Sequence, residues 1–251
     1  MSPLEIAAIL LAGLAAGTVN TIVGSGSLVT FPTLLAFGYS PLVANVSNTL
    51  GLVPGSISGS IGYRRELAGQ GQRARRLGMA SAAGGLTGGL LLLALPAAAF
   101  DRIVPVLILL ACLLVAIQPR LSRALASRQA DGAAHWGLLF GGVYLAGIYG
   151  GYFGAAQGVI LIALLGIFLP DDLQRLNGLK NVLAATVNAV AAVLFVFVAP
   201  VAWAPAAVLA IGSIAGGQVG AHYGRRLSPR LLRVLIIVIG VFVAGRLLLA
   251  A

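Results

Sequence analysis

Charge is what this sequence has least of. Only 9% of its 251 residues are Asp, Glu, Lys or Arg, against about a quarter in a typical soluble domain, so most of the chain cannot present a water-facing surface. The acidic residues number six: Glu5, Glu66, Asp101, Asp131, Asp171 and Asp172 all fall in loops or at the ends of apolar segments. No carboxylate stands at mid-membrane depth as a proton or sodium carrier, which makes cation transport a poorer reading than anion transport. The single cysteine, Cys112, has no disulfide partner and sits inside an apolar run as a small packing residue. No basic n-region precedes the first apolar run, so that run is expected to be a retained span rather than a cleaved leader. There is no Walker loop, no metal-spaced Cys/His cluster and no His-Glu-x-x-His. The reading is therefore of a non-enzyme that needs no cofactor and holds no metal.

What is present is apolar. The hydrophobic set makes up 59% of the chain, and the mean hydropathy is +1.02. Apolar segments run over 4–23, 28–38, 41–62, 77–95, 101–118, 135–150, 156–169, 173–199, 206–223 and 231–250. Most reach the roughly 20 residues that cross a ~30 Å hydrocarbon core as a helix. The expected fold class is an all-α membrane protein with 8–10 membrane segments. Segments 28–38 and 156–169 are too short to span as straight helices, and each follows a glycine-rich break, Gly24-Ser-Gly-Ser27 or Gly150-Gly-Tyr-Phe-Gly154.

Sliding the sequence on itself gives a repeat. Gly17 and Gly24 meet Gly147 and Gly154 at an offset of 130, and Gly85, Gly88 and Leu95 meet Gly217, Gly220 and Leu227 at 132. The expected organisation is a first membrane repeat over 1–118, a basic linker over 119–134, and a second membrane repeat over 135–251. The 16 Lys and Arg orient the halves. Loop 63–76 carries Arg64, Arg65, Arg73, Arg75 and Arg76, whereas its counterpart around 199–206 has no charge. Loop 96–102 has only Asp101 and Arg102, while its counterpart carries Arg225, Arg226, Arg230 and Arg233. Because basic loops stay in the cytoplasm, equivalent loops lie on opposite sides and the repeats are inverted in topology. The linker, with Arg120, Arg123 and Arg128, is cytoplasmic by the same rule. Basic residues confined to short loops, without interleaved aromatics, argue against nucleic acid as a partner; the partner is the lipid bilayer.

A broken helix frees backbone N–H and C=O groups that lipid cannot satisfy, so breaks survive where they face protein or a wet cavity. Gly24, Ser25, Gly26 and Ser27 let backbone approach a ligand, and the helix that follows aims its N-terminal amides at it, a geometry that favours anions. The alternative is that glycines serve close helix packing, as Gly84-Gly85 with Gly88-Gly89 suggest. Polar residues recur early in the next segment of each half: Asn45, Ser47, Asn48 and Thr49 in the first, Asn177, Lys180 and Asn181 in the second. These could bind a ligand or bond neighbouring helices. Lys180 lies about nine residues past the Asp171-Asp172 helix start, ~13 Å along the axis. A charge there costs at least ~2.5–3.5 kcal/mol, so it reads either as the cation of an anion site or as a structural pair for Asp171, Asp172 or a carbonyl. Arg175, one turn nearer the surface, is expected to snorkel. His135 and His222 read as interfacial.

The stretch Gly17-Thr-Val-Asn-Thr-Ile-Val-Gly-Ser-Gly-Ser-Leu-Val-Thr-Phe-Pro32, then Ser40-Pro-Leu-Val-Ala-Asn-Val-Ser-Asn-Thr49 and Tyr63-Arg-Arg-Glu66, resembles the TauE/SafE sulfite-exporter family of membrane permeases. Asp172-Leu-Gln-Arg-Leu-Asn-Gly-Leu-Lys-Asn181 is similar to that family's second repeat. The resemblance implies paired multi-helix repeats and movement of sulfite, organosulfonates or related small anions across the bacterial cytoplasmic membrane. Ser25 and Ser27 stand where a glycine run is common in the family, and Ala155-Ala156-Gln157 departs from its pattern at the second break.

The expected protein is thus a secondary transporter of a small sulfur-containing anion, with Gly24–Ser27, Asn45, Ser47, Asn48, Thr49, Gln157, Asn177, Lys180 and Asn181 around a mid-membrane site. A passive anion channel and a non-transporting membrane subunit are the alternatives, and monomer versus homo-oligomer is left open.

Overall fold

The computed structural model describes the backbone of residues 1–126, 136–224 and 229–250, and their side chains apart from 121–126, 229–232 and 250. Among the described residues all regular structure is helical: α1 (Pro3–Ile22), α2 (Ser27–Ala36), α3 (Pro41–Gly62), α4 (Gly71–Ala94), α5 (Ala97–Ala126), α6 (Trp136–Tyr152), α7 (Gln157–Phe168), α8 (Leu173–Val198), α9 (Trp203–Tyr223) and α10 (Pro229–Ala250). Five are long and apolar enough to cross a membrane: α1, α4, α5 as far as Arg120, α8 and α9. The two segments after the glycine breaks form the short helices α2 and α7, of 10 and 12 residues, or about 15 and 18 Å. Helix α5 continues to Ala126, through the first part of the 119–134 linker; the rest of that linker, with Arg128, Asp131 and His135, lies outside the described residues, as do Arg225 and Arg226.

Helix starts in the two halves keep a nearly even spacing, 136 − 3 = 133 for the first pair. From Ser27 to Gln157 it is 157 − 27 = 130, and from Pro41 to Leu173, Gly71 to Trp203 and Ala97 to Pro229 it is 132 each time. Packing follows the same exchange. Helix α1 packs on α9 while α6 packs on α4; α3 packs on α9 while α8 packs on α4; α5 packs on α7 while α10 packs on α2. Two pairs, α3 with α8 and α5 with α10, meet across the halves. Each half lends its first helix to the other half's fourth, so neither forms a separate bundle.

Small residues make this exchange possible. A Cβ on Gly17 would stand 2.4 Å from the Ser213 carbonyl oxygen, and one on Gly84 or Gly88 2.3 and 2.0 Å from the carbonyls of Tyr144 and Ile148. In lipid, association depends on such close backbone approach because apolar burial gives little drive. Close packing is therefore the role of Gly84 and Gly88.

Contacts at the helix ends fix direction. The end of α3 lies beside the start of α8: Asn177 Nδ2 donates to Tyr63 Oη at 2.9 Å, Gln70 Nε2 to the Arg175 carbonyl at 3.0 Å, and Arg73 pairs with Asp171 at 2.7 Å. At the other end of the pair, the Ala202 N–H donates to Ser47 Oγ at 2.9 Å. Helices α3 and α8 therefore run antiparallel. Tyr39 Oη donates to Glu5 Oε1 at 2.8 Å, which returns the chain after α2 to the end at which α1 began.

Candidate functional site

The two glycine breaks are built alike. At the end of α1 the N–H groups of Val23 and Gly24 both donate to the Val19 carbonyl, at 2.7 and 3.1 Å. At the end of α6 those of Phe153 and Gly154 both donate to the Tyr149 carbonyl, at 2.9 and 3.0 Å. Gly24 (φ +84°) and Gly154 (φ +78°) are left-handed, the conformation that ends helices at glycine. The breaks meet each other: the Gly158 N–H donates to the Gly24 carbonyl at 3.1 Å, and a Cβ on either glycine would stand 2.4 Å from the other's Cα. Phe153, within the second break, packs edge-on against Phe31 of α2 with ring centroids 5.4 Å apart, and also contacts Phe100 of α5. The breaks thus cross in direct backbone contact.

On one side of this crossing stands the second-half polar cluster. Asp172 caps α8 by accepting from the Gln174 N–H at 2.9 Å, which starts the helix where it carries Asn177, Lys180 and Asn181 to the last turn of α1. Lys180 is fully buried, and its Nζ donates to the carbonyls of Asn20 and Thr21, both at 3.2 Å. Asn177 and Asn181 also donate to the Thr21 carbonyl, at 3.2 and 3.3 Å. Those carbonyls are orphans of the helix end and carry its negative partial charge, so the ammonium is matched by backbone rather than by a carboxylate. Asp171 instead pairs with Arg73 and with Arg175 at 2.8 Å. Arg175 also donates to the Ala68 carbonyl at 3.3 Å, and is thereby held in the loop junction.

The first-half cluster occupies the corresponding place. Asn45, 132 residues before Asn177, donates to the Tyr152 carbonyl at the end of α6, at 3.0 Å. Asn48 stands where the second half has Lys180. It donates to Ser27 Oγ at 3.1 Å and accepts from Thr30 Oγ1, and so ties α3 to the first turn of α2. Thr49 donates to the Asn45 carbonyl of its own helix at 3.0 Å. Ser47 faces away from the crossing, toward Ala202. Gly26 lies against α1, where a Cβ would meet the Ala16 carbonyl oxygen at 2.4 Å. The Gln157 amide lies over Gly150, whose Cβ would stand 2.4 Å from Nε2.

Three side chains at the crossing, each at least 97% buried, keep a polar atom without a partner: Ser25 Oγ, Asn45 Oδ1 and Gln157 Nε2. Such atoms are costly in a low-dielectric interior, where buried polar groups are otherwise paired. By contrast, the open groove of about 400 Å³ between Ile57, Ser60 and Ile61 of α3 and Val182, Thr186 and Ala189 of α8 is mostly apolar. Its two hydroxyls donate within their own helices, at 2.8 and 2.9 Å, so it suits acyl chains rather than an anion.

Sequence reasoning singled out Lys180 and both asparagine runs, and offered a carbonyl among the partners of Lys180 without saying which. Thr30 was findable, one helical turn after Ser27 on the same face. Asn20, Thr21 and Tyr152 act through backbone carbonyls, which no side-chain pattern marks. The general rule that a helix end leaves orphan carbonyls was the available signal. Tyr63 was read only as part of a basic loop. Among the described residues no group of three or more His, Cys, Asp and Glu could hold a metal.

The sequence profile of the family described as sulfite exporter TauE/SafE matches residues 9–247. The chain is 28% identical to the probable membrane transporter protein YfcA of Escherichia coli (strain K12) over 249 residues, covering 99% of this chain and 91% of that one. It is 26% identical to the probable membrane transporter protein ORF9 of Sinorhizobium sp over 245 residues, 97% and 92% of the two chains. A probable membrane transporter protein of Haemophilus influenzae (strain ATCC 51907 / DSM 11121 / KW20 / Rd) is 26% identical over 242 residues, 94% and 91%. No solved structure matches the chain. A family match over nearly the whole length, on an all-helical chain with five long apolar helices, identifies this protein as a multi-pass bacterial membrane transporter of the TauE/SafE family.

Proposed function

We propose that the protein is a secondary transporter of small sulfur-containing anions such as sulfite or organosulfonates, working in the bacterial inner membrane by alternating access. Residues 1–118 and 135–251 are its two repeats, inverted in topology, with the 119–134 segment as their cytoplasmic connection. The antiparallel pairing of α3 with α8, the nearly even 130–133 spacing and the reciprocal packing support that arrangement. Access alternates as one half rocks against the other about the Gly24–Gly158 crossing, the motion by which paired repeats open a fixed site to either side.

The observation that carries the reading is the crossing itself. Gly158, in the first turn of α7, meets Gly24, three residues before α2, and buried polar atoms that lack partners stand nearby, at Ser25, Asn45 and Gln157. Helix N-termini hold oxyanions through free amides and the positive end of the dipole. In this reading Gly24, its own N–H held by the Val19 carbonyl, lets the chain turn so that Ser25, Gly26 and Ser27 offer amides and hydroxyls, Asn45, Asn48, Thr49 and Gln157 complete the polar wall, and Ser47 braces it from outside. Lys180 supplies the positive field. With two N–H groups on carbonyls it retains one for the substrate, and Asn177 and Asn181 hold it in place through the shared Thr21 carbonyl.

Uptake or efflux of labelled sulfite and a small sulfonate by reconstituted protein tests the proposal. Saturable flux is expected in the wild type, with at least about a tenfold loss in Lys180→Ala and Lys180→Gln, the loss of one charge-assisted bond. Wild-type transport in both variants would overturn the charge assignment. Flux without saturation would indicate a channel.

A further inference from the structure

The unpartnered atoms at the crossing differ in kind, and the difference bears on what is carried. Gln157 Nε2 is a donor, and Ser25 Oγ carries an O–H that is free to donate; both suit the acceptor oxygens of any oxyanion. Asn45 Oδ1 is an acceptor only. The direction of its amide is set by the other end of the group, since Nδ2 donates to the Tyr152 carbonyl at 3.0 Å; a flip would place two carbonyl oxygens together. Asn45 is 1% exposed, so a fully deprotonated oxyanion against it would set oxygen against oxygen.

The three residues are gathered around the two breaks. The Gln157 amide lies over Gly150 and the Asn45 amide is bound at Tyr152, so both rest on the last turn of α6. Ser25 is joined to the same place through its neighbour Gly24, whose carbonyl accepts the N–H of Gly158, next to Gln157. The positive charge on hand is small. Lys180 is the chain's one lysine, and it already neutralises the partial charge at the end of α1. A dianion in so buried a place would remain uncompensated.

Resting on the substrate reading above, we propose that the crossing selects a singly charged oxyanion that keeps a hydrogen-bond donor of its own, such as hydrogensulfite or a hydroxyl-bearing sulfonate. The guest's O–H donates to Asn45 Oδ1 while its anionic oxygens accept from Ser25 and Gln157. Dianions and sulfonates without a donor are disfavoured, the first for charge and the second for the acceptor they leave bare.

The test compares hydroxymethanesulfonate with ethanesulfonate, which has nearly the same shape and charge but a methyl group in place of the hydroxyl, and with sulfate. Binding to the full-length purified protein is followed by calorimetry, and flux in proteoliposomes. Hydroxymethanesulfonate is expected to bind at least about tenfold more tightly than ethanesulfonate, the worth of one buried hydrogen bond to a charged ligand, and sulfate more weakly than either. Asn45→Leu is expected to bring the two sulfonates together, whereas Gln157→Leu weakens both alike and keeps their ratio. Equal wild-type affinity for the two sulfonates would overturn the donor requirement while leaving sulfonate transport standing, and that comparison needs no variant to fold. No binding or flux of sulfite or of either sulfonate would remove the substrate reading and this proposal with it.

Discussion

The two polar clusters are the same construction carried out twice with different chemistry. In each half the third helix sends an asparagine to the last carbonyls of the other half's first helix: Asn45 to Tyr152, and Asn177 to Thr21. One helical turn later they part. The first half has Asn48, bonded sideways to Ser27 and Thr30 of its own short helix. The second has Lys180, bonded across the halves to Asn20 and Thr21. The first cluster therefore shapes one break, and the second ties the two halves together while bringing the charge. Similar local constructions thus carry different polar chemistry.

The comparison is broken most severely at the contact the two clusters share. Gly24→Ala places a methyl against the Gly158 backbone at a left-handed φ, and overpacking with conformational strain is expected to cost about 3 kcal/mol. Gly158→Ala meets the same clash without the positive φ, and is expected to cost less. Thermal unfolding in detergent should rank wild type, Gly158→Ala and Gly24→Ala in falling order; an unchanged melting point in Gly24→Ala would mean that the breaks are not in direct contact.

A smaller effect separates the clusters themselves. Lys180→Met strips the Asn20 carbonyl of this donor but leaves Thr21 with two asparagines, so the fold should survive a loss of about 1–3 kcal/mol. Asn48→Leu leaves two hydroxyls that rotate to other acceptors and should cost about 1 kcal/mol. Sulfite flux should nonetheless fall further in Lys180→Met than in Asn48→Leu. The reverse order would assign the anion to the first cluster alone.

The gentlest test concerns how each hairpin closes. After α7 the chain is held by the ion pairs of Asp171 with Arg73 and Arg175, and after α2 by the Tyr39–Glu5 hydrogen bond. Partial burial, and the bond to Glu5 with its negative charge, raise the Tyr39 phenol above its ordinary value of 10.0. The folded protein thus keeps that proton more tightly than the unfolded chain does. The stabilisation is complete below pH 10 and fades as the pH rises past it. Tyr39→Phe should cost about 0.5–1 kcal/mol at neutral pH, and the difference from wild type in thermal unfolding should shrink in alkali. A gap that widened there would contradict the sign.

Much of this was legible in the sequence because lipid restricts what a chain can do. Gly24 and Gly154 announced both breaks, since few residues other than glycine allow a left-handed helix end or such close backbone contact. Lys180 stood out because charge at that depth is costly. Its partners did not, because carbonyls belong to every residue and those of Asn20 and Thr21 are special only by lying 160 and 159 positions away in sequence at a helix end. For the same reason Asn45, Ser47, Asn48 and Thr49 looked alike in the sequence, although Ser47 faces Ala202 and Thr49 bonds its own helix.

The sequence by itself determined that the chain is a membrane helix bundle interrupted at two glycine breaks. Those features are local, set by hydropathy over about twenty residues and by the backbone freedom of glycine. Only the tertiary structure decided that the breaks cross at Gly24 and Gly158, that Lys180 clasps a helix end, and that Ser25, Asn45 and Gln157 are left with atoms to offer. Which polar groups are satisfied depends on contacts between distant segments, and no pattern along one chain fixes what those segments meet when they pack.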